Sequence, residues 1–473
     1  MILLSLFSPH WWLLGLSILS LSSSSSSSSD NSGTDNKNDG LLLIDKYLKP
    51  FDLELHNFPD TGRGIRTLVD RSPGDILLQV PVEDTIIADI NNVTKTSRNE
   101  YYNSLSQEQQ LALTVLYHLR SGGDDQRDDN HRHPYVSTIL PKEHYAIWNL
   151  PESIWDDLEL PRCYRETLLA TRQMVQAFAY SSLAKDGGGS GSYDDRVWAF
   201  SMVRSRSIAV PELEPSTMNT NQEQQDESST VPIALIPGLD LFNHQLNAGT
   251  LLQQQQQKQN SNDDGDTTTI NTWTLTSAKS YSAGDQIHLS YGDEKDNWKL
   301  LLTYGFCLPK GKVDPIIFWT WQDLLEAAGA VRPEIFPVRV QQSLVQHPQL
   351  YETYTVLSEQ RATFSYNGKT KEPRESLVTG LQMMENLAVQ LVGEQPRENE
   401  SLGNDILKHL LENRRSELKT SIESVRSALL QIKEESSSSS SSSKGSPATN
   451  NKEWLPFLSS LKLVLEEESK CIK

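Results

Sequence analysis

Ala234-Leu-Ile-Pro-Gly-Leu-Asp240-Leu-Phe-Asn243-His244 is the stretch whose reading decides the fold. An apolar run meets a Pro-Gly turn and then delivers Asp, Asn and His within five residues. Polar groups placed where a core would otherwise continue must find partners or a ligand, because an unsatisfied buried group costs about 1–3 kcal/mol. His244 alone reads as a structural histidine or a metal ligand. No second ligand stands at zinc-like spacing, so the metal is the weaker reading.

On the C-terminal side a Gln/Asn/Asp-rich insert follows, read with its Gln253 to Gln257 run as a disordered surface loop. Strand signals return at Trp273-Thr-Leu-Thr and, after the turn Ser282-Ala-Gly-Asp, at Gln286-Ile-His-Leu-Ser-Tyr291-Gly292. Asn297 and Leu300-Leu-Leu-Thr-Tyr304-Gly305-Phe306 come next. Tyrosines and a phenylalanine beside glycines fit a core as well as a site.

On the N-terminal side, Arg204-Ser-Arg206-Ser-Ile208 closes a helix that includes Trp198. An arginine there either caps the last carbonyls or fixes a carboxylate. Far upstream, Thr61-Gly62-Arg63-Gly64-Ile65 sets two glycines before a β-prone run. That allows close approach of backbone to a ligand, or makes a plain turn. The run Gly62 to Val69, the turn Asp70-Arg-Ser-Pro-Gly-Asp and the run Ile76 to Pro81 predict a hairpin. Helical periodicity appears at Gln107 to Arg120, Pro161 to Leu183 and Arg196 to Arg206, with Gly187 to Gly191 as a break. Beyond about Pro309 helices dominate, with Glu375 to Val392 and Leu407 to Glu434 the clearest.

In this order the segments resemble the SET-domain methyltransferases, in the branch of the Rubisco large-subunit lysine and actin-histidine methyltransferases. The family's succession is a GxG hairpin, a helical insert ending near an SR motif, an (M/L)xDxxNH segment, a (Y/F)xxGEQ…YG hairpin and SNxELLLxYGF. His133-Pro-Tyr-Val-Ser-Thr-Ile-Leu-Pro is similar to its PYxxxLP segment. The resemblance covers Thr61 to Pro309, and more weakly the helical tail. It implies an α+β fold: a β-rich SET domain over 41–309 with a helical insert at about 100–200, then an all-helical substrate-binding domain over 310–473 interrupted by a Ser tract at 436–443.

The resemblance also implies roles. Thr61, Gly62, Arg63, Arg206, Asp240, Asn243, His244 and Phe306 would bind S-adenosyl-L-methionine; Tyr291 would be catalytic; Tyr304, Ile208 and Leu239 would meet the substrate. The implied activity is methyl transfer to a lysine amine of a protein docked on the C-terminal helical domain. The histidine enzymes of the branch place Asn and Trp where Ile208 and Leu239 stand, and an apolar wall lacks the partner an imidazole needs. A histidine methyltransferase and a catalytically weak SET scaffold are the alternatives. The scaffold draws on three departures: Thr61 for Glu, Asp296 for Ser and Lys299 for Glu. A metalloenzyme using His131, His133 and His244 is the remote third reading.

Composition narrows the partners. A net charge of -19 with no Lys/Arg cluster speaks against nucleic acid. Cys163, Cys307 and Cys471 lie far apart, without metal-ligand spacing, and read as reduced structural thiols. Residues 1–40 form a signal-like or disordered leader: Trp11 to Leu21 is apolar but too short to span a bilayer. It leaves secretory, organellar, cytoplasmic and nuclear placements open. No stable membrane insertion is expected, no metal is called for, and the chain reads as a monomer.

Overall fold

A computed structural model describes residues 44–59, 61–88, 105–120, 133, 135–136, 139–141, 146–181, 192–210, 232–260, 267–292, 295–336, 364–392, 401–438 and 451–472. Among the described residues the β-rich part holds three small sheets. In the first, β1 (Leu53–Phe58) pairs antiparallel with β2 (Gly62–Thr67). The order runs β1, β2, then β10 (Gln286–Leu289) and β7 (Asn243–His244), the last pair parallel. The second has β9 (Thr267–Ser277) between β3 (Ile76–Pro81) and β8 (Thr250–Asn260). The third has β6 (Ile233–Leu235) between β4 (Ile86–Ile87) and β5 (Ile208–Ala209). Alternation along the strands sends Leu53, Ile65, Leu78, Val80, Trp273, Leu275 and Ile287 into one core.

Three helices of the insert complete that core: α1 (Gln107–Arg120), α2 (Arg162–Tyr180) and α3 (Tyr193–Arg206). Ser192 and Asp195 form a reciprocal capping box at the start of α3, fixing where it begins and so where Arg206 ends it. Gly187 to Gly191 lie outside the described residues.

The C-terminal region contains α4 (Asn297–Tyr304) at its junction, then α5 (Trp321–Val331), α6 (Glu375–Val392), α7 (Leu402–Ser438) and α8 (Leu455–Cys471). A seam of buried polar groups ties it to the insert. Arg414 on α7 is 1% exposed and its Nε lies 3.3 Å from Oε1 of Glu468 on α8. Tyr164 on α2 donates to Glu468 Oε2 at 2.5 Å, and Arg414 also donates to Cys163 Sγ at 3.0 Å and to the Phe318 carbonyl. The Tyr164 and Trp298 rings lie 4.2 Å apart in the same seam. All three cysteines are free; burial pushes the Cys163 and Cys307 thiols up to about 12. Among the described residues no helix is long and apolar enough to cross a membrane.

Four expectations are corrected. β2 and β3 do not form a hairpin with each other. Leu53-Glu-Leu-His-Asn-Phe, short and partly polar, is the strand that pairs with β2, while the turn after β2 joins the turn at Tyr281 and sends β3 to β9. Gln253 to Gln257 is no disordered loop but part of β8, in unbroken register with β9 from Thr250↔Ser277 to Asn260↔Thr267. Composition misleads there because the partner Thr-Thr-Thr-Ile-Asn-Thr-Trp-Thr-Leu-Thr-Ser is β-branched and anchored by buried Trp273 and Leu275, and it recruits a neutral strand through the backbone ladder. The C-terminal region is mainly rather than wholly helical: β11 (Ile316–Trp319), β12 (Phe364–Asn367) and β13 (Glu372–Pro373) form a sheet, because Ile316-Ile-Phe-Trp is buried at every position. Ser436 to Ser438 continue α7, and the rest of that Ser tract lies outside the described residues.

Candidate functional site

The strands of the first sheet bring Thr61, Gly62, Arg63, Asn243 and Gln286 together. Asn243 opens β7 and donates from Nδ2 to the carbonyls of Arg63 (3.0 Å) and Thr61 (3.3 Å). Its amide therefore serves the backbone of the GxG segment, so any part it has in a pocket is shared with that segment. The two glycines differ in their reasons. Gly62 sits at φ +70° with open space where a Cβ would stand. At Gly64 a Cβ would lie 2.5 Å from Gln286 Nε2 and 2.6 Å from Asn243 Nδ2, so only glycine lets the two amides approach. Thr61 Oγ1 donates to Gln286 Oε1 at 2.9 Å, giving the threonine departure a local partner.

A second group is charged. Arg206, in the last turn of α3, lies 2.5 Å from Asp240 in the Leu239–Leu241 turn, and the Asp240 side chain is 1% exposed. Burial opposes the guanidinium charge, but the Asp240 carboxylate outweighs it and holds Arg206 firmly protonated. Tyr135, fully buried beside the pair, has its phenol raised by burial and then by Asp240. Arg206 Nε is buried with no hydrogen-bond partner among the described residues.

The third group is aromatic. Tyr291 donates its backbone N–H to His244 Nδ1 (3.0 Å) and its hydroxyl to the Phe242 carbonyl (2.8 Å). The first bond makes Nδ1 an acceptor, which places the proton of a neutral His244 on Nε2. The His244 and Tyr291 rings stack at 5.1 Å, Tyr304 lies 4.7 Å from Tyr291, and Phe306 lies 6.1 Å from Tyr304. Burial, then Asp240, raises the Tyr291 phenol far above its ordinary range, and burial raises Tyr304, so both stay neutral at physiological pH.

Ile208, half-buried on β5, and Leu239, fully buried, flank β6. Sequence reasoning missed Gln286, Tyr135 and Lys295 as members of this neighbourhood. Lys295 donates from Nζ to the Tyr291 carbonyl and stands 5.7 Å from the Tyr304 ring centroid. Its only sequence signal is its position four residues after Tyr291.

The other departures also have partners. Asp296 caps α4, accepting from the Lys299 N–H at 2.9 Å, a task Ser performs equally well. The Lys299 ammonium lies over the Phe318 ring at 5.6 Å. His133 packs on His118, and His131 lies outside the described residues. Among the described residues no group of three or more His, Cys, Asp or Glu is placed to hold a metal.

This arrangement, three small sheets around a helical insert with the Asn243-His244 strand beside the Tyr291 hairpin, is the SET-domain fold. The chain aligns over 92% of its length with the structure of the SET domain of LSMT bound to lysine and AdoHcy (TM-score 0.51, 17% identity, 89% of that chain). It aligns over 93% with Rubisco LSMT bound to AdoMet (TM-score 0.50, 16% identity, 90% of that chain). In sequence it is similar to SET domain-containing protein 4 of Artemia parthenogenetica, 24% identical over 266 residues, 54% of this chain and 58% of that one. It is equally similar to the chloroplastic ribulose-1,5-bisphosphate carboxylase/oxygenase large subunit N-methyltransferase of Pisum sativum, 24% identical over 263 residues, 52% of this chain and 46% of that one. The matches thus span about half the length of these relatives. No family model matches. The resemblance read from the motifs and the SET-type α+β fold are both borne out.

Proposed function

We propose that this chain transfers a methyl group from S-adenosyl-L-methionine to the side-chain amine of a lysine in a protein substrate. The observation that carries the reading is the convergence, from segments up to 244 residues apart in sequence, of the Gly62 backbone, the Arg206–Asp240 pair and the Tyr291–Tyr304–Phe306 aromatic group. The residues suit such a cofactor: open backbone at Gly62, a spare guanidinium donor, Nε, on Arg206, and a ring, Phe306, to pack on an adenine. Thr61 to Arg63, Arg206, Asp240, Asn243, His244 and Phe306 would hold it, Asn243 and Asp240 by fixing the groups that touch it. When bound, the cofactor supplies a sulfonium methyl group.

The protein's work is alignment and desolvation. Tyr291 donates its only hydroxyl proton to the Phe242 carbonyl, so its oxygen presents lone pairs to whatever enters beside it. Those lone pairs accept from an amine N–H or from the polarised C–H bonds of a methyl group. A protonated lysine has no lone pair to attack with, and a channel walled, as the resemblance implies, by Tyr291, Tyr304, Ile208 and Leu239 would disfavour the charged form. Replacing Tyr291 by Phe should cut methyl transfer at least tenfold while leaving cofactor affinity within about twofold, as expected for a group that acts in the transition state. Equal turnover would remove Tyr291 from the reaction.

Histidine is the second reading, and the apolar pair Ile208 and Leu239 speaks against it. Mass spectrometry of labelled products decides: methyl groups on lysine sustain the proposal, and methyl groups on histidine overturn it. The protein substrate would dock on the C-terminal helical region, over 310–473. A catalytically weak scaffold loses ground because Thr61, Asp296 and Lys299 each have local partners.

A further inference from the structure

Between Asn297 and Leu308 the chain closes on itself. Asn297, 5% exposed, donates from Nδ2 to the Leu308 carbonyl (3.2 Å) and accepts the Leu308 N–H on Oδ1 (2.8 Å). One side chain thereby grips both main-chain groups of a residue eleven positions on. The enclosed loop contains Tyr304, Gly305 and Phe306, the residues assigned above to the lysine channel and the cofactor. Gly305, at φ +80°, ends α4 and turns the chain toward Phe306.

The clip is itself held from the C-terminal region. Glu467 on α8, 6% exposed, accepts from Asn297 Nδ2 on Oε2 (3.0 Å) and from the Gly311 N–H on Oε1 (2.8 Å). Both carboxylate oxygens are therefore used, one on the clip and one just beyond Leu308. Cys307 adds weaker contacts of the same kind, reaching the Asn297 carbonyl (3.5 Å) and the Ser460 carbonyl on α8 (3.7 Å). An Asn amide with two donors and one acceptor can adopt other pairings. A carboxylate that only accepts forces Nδ2 toward α8 and leaves Oδ1 for Leu308.

From this chain of bonds we infer that Glu467 is a positioning residue for methyl transfer: through Asn297 it sets the Tyr304–Phe306 loop, so the final helix of the C-terminal region completes the site. The inference rests on the function proposed above for that loop. Nothing in it requires Glu467 to touch substrate or cofactor.

The test compares three single variants and one double variant of the full chain. Glu467→Gln keeps size but offers one acceptor and one NH2, so either Asn297 or Gly311 faces a donor. Leu461→Val, a trimmed core side chain on the same helix, supplies a loss of stability without touching the clip. Asn297→Ala removes the link, and the double variant joins it to Glu467→Gln. S-adenosylmethionine affinity is measured by calorimetry, stability by thermal melting, and loop order by hydrogen exchange over residues 304–311. Glu467→Gln should weaken cofactor binding by about tenfold and speed exchange in that segment, the scale of a lost charge-assisted hydrogen bond. Leu461→Val should lower the melting temperature and change neither. In the Asn297→Ala background, Glu467→Gln should cost less than about a twofold further loss, since coupled residues are non-additive. Equal losses of affinity in Leu461→Val and Glu467→Gln at matched melting temperatures would overturn the inference, as would full additivity in the double variant. If the wild-type chain bound no S-adenosylmethionine, the proposed function would fall, and exchange over 304–311 in the same four variants would still decide whether Glu467 orders the loop.

Discussion

Replacing Asp296 by Ser should stabilise the protein at neutral pH and destabilise it slightly in acid. Asp296 is 2% exposed, and burial raises its carboxyl from 3.8 to about 6 despite the Lys299 N–H that it accepts. The folded chain therefore holds this proton over a pH range where the unfolded chain has lost it. Between about pH 4 and 6 the native state binds more protons than the unfolded state, so stability from this group falls as pH rises, and above that window the loss is complete. A shift of about two units corresponds to roughly 3 kcal/mol, at 1.36 kcal/mol per unit. Serine keeps the N-cap acceptor and carries no charge, while its smaller volume gives back about 1 kcal/mol. The net gain at about pH 8 should be near 2 kcal/mol, turning into a loss of about 1 kcal/mol at about pH 4, where only the volume cost is left. Urea unfolding of both proteins across that range measures it, since acid effects elsewhere cancel in the difference. A difference that did not vary with pH, or a wild-type protein more stable at pH 8, would falsify the account of Asp296 as an ionised group held against its burial.

Three further outcomes follow from named contacts. Asn243→Ala removes two bonds to the backbone of Thr61 and Arg63 and should weaken S-adenosylmethionine binding by about 1–3 kcal/mol in calorimetry; unchanged affinity would detach the GxG segment from the pocket. Arg414→Met leaves Glu468 buried without its cation and should cost about 3–5 kcal/mol in denaturant unfolding, and a loss below about 1 kcal/mol would mean the pair is not desolvated as described. Deleting Gln253 to Asp266 strips most of β8 from β9 and should lower the melting temperature and promote association through the bared strand edge, seen by light scattering; a deletion variant that melted and sedimented like the parent would mean the hairpin contributes nothing.

How much the sequence shows depends on the range of the interaction. The segments of the candidate site are legible because motifs are local: Arg206-Ser-Ile208, Asp240 to His244 and Tyr291-Gly292 each fit in a few positions, and the fold sets Arg206 against Asp240 and His244 against Tyr291. The helix Glu375–Val392 matches its periodicity end to end. Strand pairing is not local, and there the reading fails. Nothing in Leu53-Glu-Leu-His-Asn-Phe announces it as the partner of β2, and the Gln run of β8 takes its conformation from β9. The seam of Arg414, Glu468 and Tyr164 is less legible still, because Arg, Glu and Tyr are common surface residues and only their mutual burial marks them. Asp296 and Lys299 look like damage to a motif until the capping geometry of α4 is seen.

Tyr164 and Glu468 stand 304 residues apart, and the bond between them has a consequence for the order of events on the ribosome. Synthesis proceeds at roughly 5–20 residues per second, so α2 emerges many seconds before α8 exists. During that interval Cys163, Tyr164 and the Trp298 face lack the partners that bury them in the finished protein, and Asn297 lacks Glu467. An isolated helix face of this kind is exposed to aggregation and to chaperone capture. If Glu467 sets the Tyr304–Phe306 loop, that loop gains its order only once α8 has joined the fold. A nascent chain halted before α8 would carry every motif of the candidate site without the contact that holds Asn297 and the loop it closes.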